Sequence, residues 1–130
     1  MSTMFHGVDA KLEVLAYLKT RVGVPVVSTR PDKADAPKQF VRLITTGGGG
    51  RTSRILQDAL VTVDSYAETS ARSMRLALNV DALIHQMPTI SGHIVQVRGS
   101  YPSEFPDPET GQARCTATYQ FTVKIPQATN

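Results

Sequence analysis

Side chains able to do chemistry are few in this sequence and widely spaced. The histidines are His6, His85 and His93, and the single cysteine is Cys115. A zinc site needs a full set of nitrogen or sulfur ligands at short spacing, so these positions predict no metal site. Cys115 falls on the apolar side of an alternating segment, where burial disfavours the reactive thiolate. With no Gly-x-Ser-x-Gly elbow either, we predict no catalytic residue, no cofactor and no enzyme activity.

Two carboxylates, Asp107 and Glu109, lie in the proline-rich segment Pro102–Gly111. Carboxylate oxygens are ligands for hard cations, so a cation site is one interpretation of this pair. Acidic residues among prolines and glycine are also typical of a solvated turn. The second interpretation is favoured, and the segment is predicted to be an exposed loop.

Four consecutive glycines, Gly47–Gly50, resemble a loop whose backbone amides could hold a phosphate. No Gly-Lys-Ser/Thr sequence closes the run, and a strand pattern follows it, which argues against a phosphate site. We expect a flexible hairpin tip, or a tip that becomes ordered against a partner. Arg51 and Arg54 favour docking, because guanidinium groups bind acidic protein surfaces and DNA phosphates.

The segment from Arg114 to Ile125 alternates apolar and polar residues without a break. Successive side chains of a strand point to opposite faces, so this pattern predicts a long strand with one face buried and one free. Tyr119 and Phe121 belong to the apolar set and are predicted core residues. The opposite set is rich in threonine and suits an interaction surface.

The remaining elements are predicted from helical spacing, alternation and turn residues. Helices are expected at residues 9–22 and 68–87, and strands at 40–45, 60–66 and 94–98, with a short β-like run at 24–29. The strands at 40–45 and 60–66 are expected to form a hairpin. The order predicts an α+β fold: a mixed, mostly antiparallel sheet of about 4–5 strands with two helices packed on one face.

Composition sets broader limits. The 130 residues predict one domain, 1–130, with flexible ends at 1–7 and 126–130. A net charge of +3 is too small to predict nucleic-acid binding without a clustered patch. No segment approaches the roughly 18 apolar residues of a membrane span, so no membrane partner is expected. One cysteine permits no internal disulfide and suits a reducing compartment.

Two stretches carry a resemblance to a known family: LVTVDSYAETSARSMRLALNVDALI, and after the next strand YPSEFPDPETGQARCTATYQFTVKI. Together they resemble the tail terminator proteins of long-tailed, siphovirus-type bacteriophages, especially those of actinobacterial hosts. The resemblance spans roughly residues 9–125 and lies in the order and character of the segments, without a catalytic signature.

The resemblance implies a structural virion protein that forms a homo-oligomeric ring, usually a hexamer. Such a ring caps the tail tube, ends its polymerisation and joins it to the head–tail connector or stopper protein. The implied partners are the chain itself, the major tail tube protein, the connector, and genomic DNA passing non-specifically through the lumen. The implied location is the head-proximal end of the virion tail, after assembly in the host cytoplasm.

Contact loops are assigned from expected exposure and mobility alone, at residues 47–54 and 101–111. Their members are Gly47, Gly48, Gly49, Gly50, Arg51, Arg54, Tyr101, Phe105, Asp107 and Glu109. Two other functions stay open: another neck or tail-completion protein of similar fold, and a small basic nucleic-acid-binding domain.

Overall fold

The computed structural model describes residues 4–32 and 36–126, and it has the predicted α+β architecture. Of the ends predicted to be flexible, residues 1–3 and 127–130 lie outside the described part. The elements in chain order are α1 (Ala10–Lys19), β1 (Val26–Val27), β2 (Phe40–Arg51), β3 (Leu56–Ala67), α2 (Ser70–His85), α3 (Met87–Ile90), β4 (Ile94–Gly99), β5 (Ser103–Glu104) and β6 (Ala113–Lys124).

The strands form a single six-stranded sheet with the order β1-β2-β3-β6-β4, and β5 pairs with β6 on the same side as β4. β1 runs parallel to β2, and every other pairing is antiparallel. The sheet is therefore mixed and mostly antiparallel, as predicted. β1 lies within the predicted β-like run at 24–29. The strand that was not predicted is β5, because its two residues are too few for alternation to mark them.

The predicted faces of the last strand are confirmed. Residues of the apolar set from Cys115 to Val123 are buried, with Tyr119 1% and Phe121 0% exposed. β6 pairs with β3 over twelve positions, so Val61 lies beside Tyr119 and Val63 beside Ala117 on the same face. These side chains form one core with the buried faces of both long helices.

Both long helices begin at side-chain caps. Asp9 accepts a hydrogen bond from the Leu12 amide and starts α1, and Thr69 accepts one from the Arg72 amide and starts α2. Tyr17 Oη donates to the Leu83 carbonyl at 2.7 Å and links the two helices. α2 ends at His85, two residues before the predicted end at 87, and Pro88 lies within the short helix α3 that follows.

The predicted hairpin is present, but its strands are longer than expected. β2 continues through Gly47–Gly50 to Arg51, and β3 begins at Leu56 rather than at Leu60. The turn is therefore residues 52–55, where Ser53 Oγ accepts from the Leu56 amide at 3.2 Å.

Replacing Phe121 with alanine should lower the free energy of unfolding by about 3–5 kcal/mol, because it leaves a cavity among buried side chains. Gln120→Ala is the matched control, since Gln120 is the half-buried neighbour on the opposite face, and should cost less than about 1 kcal/mol. Urea unfolding of the two variants measures the difference. Equal losses would mean that the faces are assigned incorrectly.

Candidate assembly surface

The free face of the sheet is a polar surface built from the threonine set of β6 and its neighbours on β3. Thr62 and Thr118 lie side by side with their hydroxyl oxygens 2.9 Å apart. Thr122 Oγ1 donates to Asp58 Oδ1 at 2.8 Å. These cross-strand pairs fix the side chains in place, so this part of the face is an ordered surface and not a cleft.

Toward the other end of the face, charged side chains from three adjacent strands form a row. Arg42 Nη2 donates to Asp64 Oδ2 at 2.7 Å, and Arg114 Nη1 lies 3.8 Å from the same oxygen. Asp64 is buried, so the two guanidinium groups offset the cost of removing its charge from water. With two arginines and one carboxylate, the row therefore has one net positive charge.

The loop between β5 and β6 covers the end of this row. Its Asp107 is only 3% exposed, and it accepts hydrogen bonds from Arg30 Nη1 at 2.8 Å and from Tyr66 Oη at 3.0 Å. Arg30 also donates to Glu109 at 2.6 Å through its other terminal nitrogen. One arginine therefore fastens the loop to the segment that follows β1.

The electrostatics of Asp107 follow from these contacts. Burial alone would raise its pKa, but hydrogen bonds from Arg30, the Glu109 amide and Tyr66 stabilise the carboxylate. The balance leaves the pKa of Asp107 well below its ordinary range. Asp107 is therefore ionised at every pH at which the protein is expected to work.

Of the four residues in the 101–111 loop that were predicted to be exposed contacts, three are exposed and one is buried. Tyr101 and Phe105 are 74% and 57% exposed, and the Glu109 side chain is 74% exposed. The exposure predicted for Asp107 is wrong, because its carboxylate neutralises Arg30 inside the fold. Nothing in the sequence marked Arg30, which lies 77 positions from Asp107 along the chain.

The interpretation of Gly47–Gly50 as a flexible hairpin tip is also wrong. The run lies within β2 and is paired with β3, with register shifts between Thr45 and Gly47 and between Gly47 and Gly50. Gly48 has φ +123°, and a Cβ there would lie 2.9 Å from the Ala59 Cα. Glycine is needed here for a bulged, left-handed backbone that passes close to the neighbouring strand.

The arginines beside the run make contacts within the chain. Arg51 Nη2 donates to the Phe5 carbonyl, and the Arg54 guanidinium lies 4.6 Å from the Phe5 ring centroid. Gln57 holds the same segment by accepting from the Val8 amide at 3.0 Å and donating to the Val8 carbonyl at 2.8 Å. Both arginines remain exposed to solvent, so the outer hairpin presents positive charge while fastening the N-terminal segment.

The residues first considered for chemistry are dispersed. Cys115 is buried with its sulfur 3.3 Å from Ser73 Oγ. His93 Nδ1 lies 2.8 Å from Glu13 Oε1, and His85 Nε2 lies 3.5 Å from Asp81. Among residues 4–32 and 36–126, no group of three or more His, Cys, Asp or Glu side chains could hold a metal ion. In the same ranges, no helix is long and apolar enough to cross a membrane.

Comparison with known proteins finds a structural similarity only. No protein-family model and no curated protein sequence matches the chain. Its structure is similar to a chain from the virion of a native gene transfer agent (GTA) particle, with a TM-score of 0.54 and 18% sequence identity. The similarity covers 88% of this chain and 89% of that one. At this identity the match establishes a shared fold over nearly the whole domain.

Replacing Asp107 with asparagine should lower the free energy of unfolding at pH 7 by about 1–3 kcal/mol, because Arg30 and Tyr66 lose a buried ionised acceptor. Since the pKa of Asp107 is lower in the folded than in the unfolded chain, its stabilisation is complete above the unfolded pKa of about 3.9 and declines below it. The difference between the variant and the parent should therefore shrink on acidification.

Glu109→Gln is the control, because it removes the exposed partner of the same arginine and should change stability by less than about 1 kcal/mol. Chemical unfolding at several pH values measures both variants. A loss for Asp107→Asn that stays constant down to strongly acidic pH would contradict the assigned role of the carboxylate.

Proposed function

We propose that this chain is a structural virion protein, the tail terminator of a phage-like particle, which forms a ring at the head-proximal end of the tail. The observation that carries the proposal is the fold shared, over 88% of this chain, with a component of the GTA virion. The ordered polar face and the exposed aromatic side chains beside it support an assembly role. The resemblance of residues 9–125 to tail terminators points to the same position in the particle.

In this role the protein binds copies of itself in a ring, expected to be a hexamer, together with the tail tube protein and the head–tail connector. A domain of this length has a radius of gyration of about 14 Å and a diameter of about 36 Å. Six such bodies in contact enclose a hole of about the same width. Genomic DNA could pass through it without sequence-specific contacts, and the role involves no substrate turnover.

Deleting the gene should give tail tubes of excessive and variable length that are separate from filled heads, because nothing ends tube polymerisation or joins the two parts. Electron microscopy of the resulting particles measures tube length and head attachment. Complementation with the parent gene is the control and should restore uniform joined tails. Joined tails of uniform length in the deletion strain would contradict the terminator role.

If the chain is instead another neck or tail-completion protein of similar fold, the same deletion should give tails of normal length that fail to join heads. The nucleic-acid-binding alternative predicts tight DNA binding at low salt that weakens steeply as salt rises. A ring through which DNA merely passes requires only weak attraction between the protein and the DNA. A salt titration of DNA binding by the purified chain therefore separates this alternative from the proposal.

The outer part of β2 should become protected on assembly. Within the described residues, β1 covers β2 only at Val41 and Arg42, so the far edge of β2 has no strand beside it. Amide hydrogens at residues 47–54 should exchange at least about tenfold more slowly in the assembled tail than in the isolated subunit. The helical segment 77–84 of α2, in which Ala77, Val80 and Ile84 are buried, serves as the internal control. Equal exchange in both states would exclude residues 47–54 from the assembly contact.

A further inference from the structure

Each edge of the sheet carries a two-residue strand, and these two strands lie at the same position along the length of the central strands. On one edge β1 pairs with β2 alone, and on the other β5 pairs with β6 alone, within the part of the chain described. The strand registers connect them through one row of neighbouring residues: Val26, Val41, Ser65, Cys115 and Glu104. Copies placed side by side along this row would bring β5 of one copy next to β1 of the next.

The strand directions suit such a contact. β1 is parallel to β2, and β2 and β6 are both antiparallel to β3, so β1 and β6 point the same way. β5 is antiparallel to β6. The β5 strand of one copy would therefore approach β1 of the next in the antiparallel orientation, which is the more stable pairing of two strands.

The side chains at the two edges are complementary. Beside β1, a groove is lined by the apolar residues Leu12, Leu15, Val26 and Val27 and by one basic residue, Lys19 of α1. Leu12 is 61% exposed and adds to the accessible apolar surface of this groove.

Glu104 of β5 is exposed and is paired with Cys115, whose buried side chain contacts Ser73 of α2 on the core face. The next residue, Phe105, lies on the opposite face, with its ring 5.4 Å from the Arg114 guanidinium. Since α1 packs on the core face, Glu104 and Lys19 would meet on the same side of the sheet.

We propose that the β5 edge of one copy docks on the α1–β1 edge of the next, with β5 pairing antiparallel to β1 and Glu104 facing Lys19. This inference deepens the proposed ring and rests on it. The contact joins two different surfaces, which is what a closed ring of identical subunits requires. Its occupant is a second copy of this chain, because both halves of the contact lie on one molecule in matching register.

Charge reversal provides the test. Lys19→Glu and Glu104→Lys should each raise the concentration needed for assembly by about tenfold or more, because each places like charges together. The double variant Lys19→Glu/Glu104→Lys should restore assembly. Arg75→Glu, at an exposed position on α2, the helix that packs on the central strands β3 and β6, is the matched control and should leave assembly unchanged. Native mass measurement over a concentration series follows the oligomer.

A second measurement reports proximity directly. A short bismaleimide added to assembled Lys19→Cys/Glu104→Cys protein should give a ladder of covalent oligomers, whereas either single variant should give no ladder beyond a dimer. If the charge-reversal variants assemble like the parent, and the assembled double-cysteine variant gives no ladder, the edge contact is wrong. The proposed terminator role would not be affected by that result. A parent chain that stays monomeric at every concentration would also overturn the contact, while the tail lengths of the deletion strain would still decide the terminator role separately.

Discussion

The pairing of β6 is the constraint on which the rest of the structure depends. This strand holds β3 along one edge and both β4 and β5 along the other, so it lies inside the sheet over its whole length. Its unbroken alternation sends Tyr119 and Phe121 into the core and the threonines outward. A shift of one residue would reverse both faces at once. The face covered by the helices and the free polar face are therefore two consequences of one register.

The second organising interaction is the ion pair between half-buried Arg30 and buried Asp107. It joins the segment after β1, at one edge of the sheet, to the loop after β5, at the other. The loop consequently lies across the charged row of Arg42, Asp64 and Arg114 instead of extending into solvent. Arg30 follows β1 and Asp107 follows β5 in the chain. The ion pair between them therefore also holds the two sheet edges through which neighbouring copies are proposed to meet.

Much of the fold could be predicted from local sequence, because a helix or a long strand shows a regular spacing of apolar residues within its own segment. The alternation around Phe121 gave the correct buried face, and Asp9 gave the correct start of the first helix. The errors came from contacts between distant segments. Gly48 looked flexible because its need to pass close to Ala59 is visible only once β3 is paired beside it. Asp107 looked exposed because its partner Arg30 lies far away in the sequence.

A cryo-electron microscopy reconstruction of the neck of intact particles would show whether this chain forms the proposed ring between tail and head. We expect a closed ring of copies of this fold directly above the last ring of tube subunits, with the polar face of β6 and the β2–β3 hairpin in contact with neighbouring proteins. A neck in which that position is filled by a different protein, with this chain elsewhere or absent from the particle, would contradict it.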